Sequence, residues 1–179
     1  MMFSEMFLEQ NADQIDYNGK TINSCYSVKE QGIYNIKFSI ISTSSDYTQA
    51  INIHFIDFEG RVFVNGREHR LSESGFPQLL FSEKEISSVE VKIELQQGSF
   101  VICNASDPIG TDEIWYSLYG NCAMIIEKYN DSHYRFYCND HEYDDDFDDM
   151  IFDMRINDEK VKSTGKIRLF DLIKGRLSD

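Results

Sequence analysis

Apolar and polar side chains alternate with a period of two through most of the chain, the spacing that puts successive residues on opposite faces of a strand. Tyr34, Ile36, Phe38 and Ile40 fall on one side, with Asn35, Lys37 and Ser39 between them. Ile51, Ile53 and Phe55 repeat the pattern, and it sets His54 on the polar face, where a surface position is expected. Val89-Glu90-Val91-Lys92-Ile93-Glu94-Leu95 alternates most clearly, and Met150, Phe152, Met154 and Ile156 give a last apolar face. Short strands are further expected over 61–64, 100–103, 115–119, 122–129 and 133–138.

Turn chemistry punctuates these runs. Asn65-Gly66 supplies the two φ > 0 positions of a tight hairpin, and Asn130-Asp131-Ser132 joins two strands in the same manner. Turns are expected at 16–23 around Asn18-Gly19, at Asp57-Phe58-Glu59-Gly60 and at Gln96-Gln97-Gly98, and irregular chain over 42–48, 72–82 and 104–112. Strands broken by turns at this rate predict an all-β fold, a two-sheet antiparallel sandwich or jelly roll. Helical spacing is confined to the ends, over 4–10 and 166–177, so short terminal helices complete the expectation.

At 179 residues and 41% hydrophobic, the chain is sized for one domain that needs no disulfide or metal to build a core. We expect a single β-sandwich domain over 1–179 with a basic tail at 160–179. Between Lys160 and Arg176 six Lys and Arg face only Asp171, against a net charge of −14 for the whole chain. Such a balance repels nucleic acid and anionic membranes, so neither is an expected partner. Cations or basic proteins are the electrostatically sensible ones.

The start shows no signal peptide and no stretch is long enough to span a membrane, so a cytoplasmic location is expected; a trimmed piece of a secreted protein would read the same. Cys25, Cys103, Cys122 and Cys138 lack metal-site spacing and read as small buried apolar residues, a Cys122 to Cys138 bridge being the alternative in a secreted protein.

The chemistry concentrates between Asn139 and Asp153, where 15 positions hold eight carboxylates and no Lys or Arg. Crowding carboxylates on a short stretch costs repulsion, relieved by a hard cation, by protonation or by spreading into solvent. A cation site and a solvated acidic loop are therefore both open. The EF-hand template fails in both registers, which demand Gly and Glu where Asp145 and Ile151, or Asp149 and Arg155, stand. Asp144, Asp146 and Asp148 sit two apart and would share a side of an extended backbone, while Asp149 joins the face of Ile151 and Asp153. Asp140 would close the ring from the end of the preceding strand, and an oxygen-rich set of this kind suits calcium.

Asp144-Asp145-Asp146-Phe147-Asp148-Asp149-Met150-Ile151-Phe152, preceded by Tyr134 to Asp140, resembles the closing signature of certain bacterial calcium-binding β-sandwich modules of secreted or surface proteins. That resemblance implies Asp140, Asp144, Asp146, Asp148 and Asp149 as calcium ligands. It covers about 20 residues and departs from the pattern at Asp148, where Asn is usual, and at Tyr143, where glycines open the turn.

No nucleophile with a base, phosphate-cradling glycine loop or His metal triad is visible, so an enzyme is not expected. The leading expectation is a non-enzymatic binding module whose acidic loop holds structural calcium and whose neighbouring loops contact a protein or glycan partner, with Trp115, Tyr116 and Tyr119 as the partner-binding candidates. The alternative is a cytosolic acidic interaction protein, such as an immunity protein or inhibitor of a basic partner.

Overall fold

A computed structural model describes residues 1–72, 77–107, 109–110, 115, 117–118, 120–142 and 144–159. The basic tail, the helical stripe at 166–177, Tyr116 and Tyr119 lie outside the described residues. One helix, α1 (Phe3–Gln10), precedes the strands. These are β1 (Gln14–Tyr17), β2 (Lys20–Asn23), β3 (Tyr26–Val28), β4 (Gly32–Thr43), β5 (Thr48–Val64), β6 (Arg67–His69), β7 (Gln78–Ser82), β8 (Ser88–Asp107), β9 (Ala123–Asn130), β10 (His133–Asn139) and β11 (Met150–Glu159). No helix among the described residues is long and apolar enough to cross a membrane.

All pairings are antiparallel, and the main path runs β1-β2-β9-β10-β11-β4-β8-β5-β6. Besides pairing with each other, the long strands β5 and β8 carry two further partnerships each. Ser88 to Leu95 of β8 pairs with β4, whereas Phe100 to Ile102 pairs with β3; the first half of β5 pairs with β7 and the last residues with β6. The antiparallel pair of β5 and β8 thus contributes to two layers, a broad one and a small one made of β3, β7 and the halves of β5 and β8 that face them. Tyr26 of β3 meets Phe136 of β10 edge to face at 6.0 Å between ring centroids, and Tyr34 of β4 meets Phe100 of β8 at 5.5 Å, so the layers close on a shared core. The expected all-β sandwich is the observed architecture.

The bends in β5 and β8 correct two expectations. Residues 57–60 and 96–98 do not end strands; both strands continue through them, with register shifts between Ile56 and Gly60. Asp57 takes φ 47°, and Gly98, at φ 81°, sits so close that a Cβ would stand 2.3 Å from the carbonyl oxygens of Ile56 and Asp57. Sequence signals for a turn mark a bulged corner here, since both features need positive φ and close backbone approach. Residues 16–23 similarly prove to be the β1-β2 hairpin, with Asn18 and Gly19 at positive φ between its strands. The irregular chain expected over 72–82 contains β7, and that over 104–112 begins inside β8.

The alternation places side chains as expected. Ile36, Phe38, Val91, Ile93, Phe136, Phe152 and Met154 all lie buried in the main core, and Phe136 stacks on Phe152 at 4.5 Å and 4°. The cysteines are free thiols, three buried and Cys25 half-buried, with no Cys122 to Cys138 bridge. His54 is half-buried rather than a surface residue: its Nε2 lies 3.0 Å from Ser117 Oγ and 3.2 Å from Asn52 Nδ2, and burial lowers its pKa.

A second apolar cluster of Phe3, Phe7, Ile15, Ile22, Ala123 and Phe147 joins α1 to β1, β2, β9 and the acidic stretch. Phe3 and Phe7 are one helical turn apart and share a face. Glu5 accepts the backbone N–H of Met2 at 2.8 Å at the start of α1, and Asn11 ends it in the left-handed conformation. This cluster positions the candidate site.

Candidate metal centre at the acidic turn

The acidic residues occupy the connection between β10 and β11, which begins at Asp140 and re-enters the sheet at Met150. The backbone between is not extended: Asp145 and Phe147 have φ of 57° and 62°. Asp tolerates the left-handed region, but Phe reaches it only at a cost on the order of 1 kcal/mol or more. Side-chain burial offsets that cost. Phe147 is 3% exposed, its ring stacks on Phe3 at 5.9 Å, and Lys20 Nζ lies 5.5 Å from its centroid. Asp145 is tied separately, accepting the Tyr17 hydroxyl at 2.6 Å.

This curled path decides which carboxylates meet. Ligand atoms of Asp144, Asp146 and Asp149 all lie within 4.8 Å of one another, Asp149 buried and the other two exposed. Two oxygens bound at about 2.4 Å to one calcium can be at most about 4.8 Å apart, so the three carboxylates come close enough to share one ion, and an all-oxygen set of this kind suits calcium. Asp148 stands outside the group: Ser44 Oγ donates to its Oδ1 at 2.7 Å, because the left-handed residue before it breaks the two-residue parity on which its inclusion rested.

Asp140 is buried beneath the turn and acts through its neighbours. Its backbone N–H donates to Asp149 Oδ2 at 2.7 Å, its Oδ1 accepts Glu142 N–H at 2.8 Å, and its Oδ2 accepts Ser45 Oγ at 2.7 Å and Gln49 Nε2 at 3.4 Å. The side-chain amide of Asn139 donates to the carbonyls of Asn121, Asp140 and Glu142, which gathers the base of the turn. Among the described residues the buried Oδ1 of Asn139 and Oε1 of Gln49 have no hydrogen-bond partner, so acceptors outnumber donors at this end of the sandwich.

The electrostatics follow from crowding and burial. Burial first, then the charges of Asp140, Asp144 and Asp146, push the Asp149 carboxyl up to about 7, against a stabilising bond from the Asp140 N–H. Burial and the charges of Asp146 and Asp140 also raise Asp144. Carboxylates whose charged forms are disfavoured in this way bind protons or cations in preference to standing bare. Nearby Asp153 shows the opposite behaviour, held below the ordinary range by Arg135, whose Nε lies 2.7 Å away, and by His133.

Of the five ligand candidates, three converge, Asp140 supports them from below and Asp148 is engaged elsewhere. Trp115 is half-buried, while its companions Tyr116 and Tyr119 lie outside the described residues. Residues that sequence spacing missed include Ser44, Ser45, Gln49 and Tyr17, which are 91 to 128 positions away in the chain from the carboxylates they touch. Only the small polar composition of residues 42–48 hinted at a role. No protein-family model matches the chain, and neither the curated proteins nor the solved structures give a match.

Proposed function

We propose that the protein is a non-enzymatic binding module whose acidic turn takes one structural calcium ion between Asp144, Asp146 and Asp149. The observation that carries this reading is the convergence of their oxygens within 4.8 Å on a turn whose backbone is held curled by Phe147. The ion offsets both the burial and the repulsion that disfavour the charged forms of Asp149 and Asp144, and loop carbonyls and water complete its six to eight oxygens. Asp140 orients Asp149 through its backbone N–H and keeps the field negative.

Calcium here stiffens the junction of β10, β11, α1 and the link between β4 and β5, since Ser44, Phe3 and Tyr17 all contact the turn. Thermal unfolding tests the reading. A ligand that binds only the native state at 100 times its Kd stabilises by about 2.7 kcal/mol, so calcium in place of chelator raises Tm by roughly 5–10 °C. An unchanged Tm between chelator and 10 mM calcium removes the calcium reading.

A further inference from the structure

The four cysteines are scattered through the sequence, and strand pairing brings two of them opposite one another. β3 runs antiparallel to β8 with Tyr26 across from Ile102, Ser27 across from Val101 and Val28 across from Phe100. One further step in that register sets Cys25 across from Cys103. Residues directly opposite in an antiparallel pair share a face, with Cα atoms about 4.5 or 5.5 Å apart, and a disulfide spans about 4.4–6.8 Å, so either kind of position suits a bridge. Both thiols are free here. Cys122 and Cys138 are placed less well. Cys138 stands across from Met124, which leaves Cys122 a diagonal neighbour about 7–8 Å away, at the limit beyond which a bridge requires the backbone to move.

The two thiols differ in access, which fixes the order in which they react. Cys25 is half-buried, whereas Cys103 is 0% exposed. Burial raises the Cys25 thiol, but the Ser24 hydroxyl donates to its Sγ at 3.8 Å and Ser27 Oγ lies 3.6 Å away, and both favour the thiolate. Burial first, against a hydrogen bond with Ser117, and then the Cys25 and Cys122 thiols push Cys103 up to about 12. A small reagent in solvent therefore meets Cys25 first. The strand that carries Cys25 into the sheet is also weakly held: β3 is three residues long, and β8 is its one partner strand among the described residues. An edge strand paired at so few positions opens more readily than the strands beneath it.

We propose that Cys25 and Cys103 form a disulfide when the protein meets a low-molecular-weight disulfide, and that this bond pins β3 to β8 as a redox-responsive staple. The Cys25 thiolate attacks one sulfur of the reagent, whose S–S bond breaks to release one thiolate and leave a mixed disulfide on Cys25. The Cys103 thiolate, formed as the β3 edge opens to water, attacks the Cys25 sulfur, makes the Cys25–Cys103 bond and expels the second thiolate. The protein thiols together lose two electrons, the reagent gains them, and the protons of Cys25 and Cys103 pass through water to the two thiolates released. No carboxylate of the acidic turn takes part, so the staple stands apart from the calcium reading.

The test incubates the whole chain with oxidised glutathione at pH 8 in chelator and alkylates the remaining thiols in denaturant. The protein is then digested without reduction at Lys, Arg, Asp and Glu, which parts Cys103 from Cys122 at Asp107. Mass spectrometry is expected to find the Cys25 and Cys103 peptides joined, two hydrogens lighter than the free pair, with Cys122 and Cys138 alkylated. Because the bond closes a long loop, oxidation should raise Tm by roughly 5–15 °C, and dithiothreitol should reverse the rise. In Cys103→Ala the reaction should stop with glutathione on Cys25. In Cys25→Ser, at a half-buried position outside the strands, the oxidant should leave Tm where it was. Cys25 and Cys103 left unlinked, either one joined instead to Cys122 or Cys138, or a linked protein whose Tm does not rise would each overturn the proposal.

Discussion

Asp149→Asn separates the two terms that the acidic turn balances. The substitution keeps an oxygen to accept the Asp140 N–H at 2.7 Å but deletes a charge that burial and three neighbouring carboxylates disfavour. With the carboxyl pushed up to about 7 from an ordinary 3.8, the charged form at pH 8 carries a ceiling of about 4 kcal/mol of native-state penalty, at 1.36 kcal/mol per unit. Relaxation and the open side of the turn reduce that to about 1–2 kcal/mol, or roughly 2–8 °C in Tm. In chelator at pH 8 the variant should therefore melt above the parent. In 10 mM calcium the order should reverse, because the parent gains about 2.7 kcal/mol at 100 times Kd and the variant, having lost a ligand, gains little. Calorimetric melting of both proteins in both buffers gives the four numbers required. A variant that melts well below the parent in chelator, or responds to calcium as the parent does, would refute the reasoning.

The pH dependence carries a worked sign. Asp149 is raised in the fold, so in chelator it destabilises most above pH 7, and the stability gap between Asp149→Asn and the parent should close as pH falls from about 7 towards 4; denaturant midpoints across that range check this. Asp153 is lowered by Arg135 and His133, so its contribution is present above the ordinary 3.8 and lost as pH falls further, and Asp153→Asn should flatten the most acidic limb of the same profile. Phe147→Ala removes a buried ring and the anchor of a left-handed residue, and should cost about 3–5 kcal/mol in urea unfolding while abolishing the calcium response. Gly98→Ala would place a Cβ 2.3 Å from two carbonyl oxygens at φ 81°, and should cost more than about 2 kcal/mol with no change in the calcium shift of the surviving folded protein.

What could be read from the sequence was whatever depends on side-chain parity and short-range turn chemistry. The faces of β4, β8 and β11 and the hairpin at Asn65-Gly66 follow from those rules, and the all-β sandwich follows from their repetition. Length and continuity of strands did not follow. A glycine demanded by a bulged corner carries the same local signal as one demanded by a turn, and only the pairing of β5 with β8 along both layers distinguishes them at Gly60 and Gly98.

The candidate site was legible as a concentration of charge but not as a geometry. Parity on an extended strand grouped Asp148 with Asp144 and Asp146, and the left-handed Phe147 broke it. That conformation is stabilised by Phe3, at the far end of the chain, which no local pattern reports. The contacts of Ser44, Ser45 and Gln49 with Asp148 and Asp140 are equally long-range.

The most direct measurement is a crystal structure of the protein grown in or soaked with calcium. The account expects one ion bound at about 2.3–2.6 Å to oxygens of Asp144, Asp146 and Asp149, with Asp148 still on Ser44. A turn with no ion among those three carboxylates, or an ion held by a different set of residues, would contradict it.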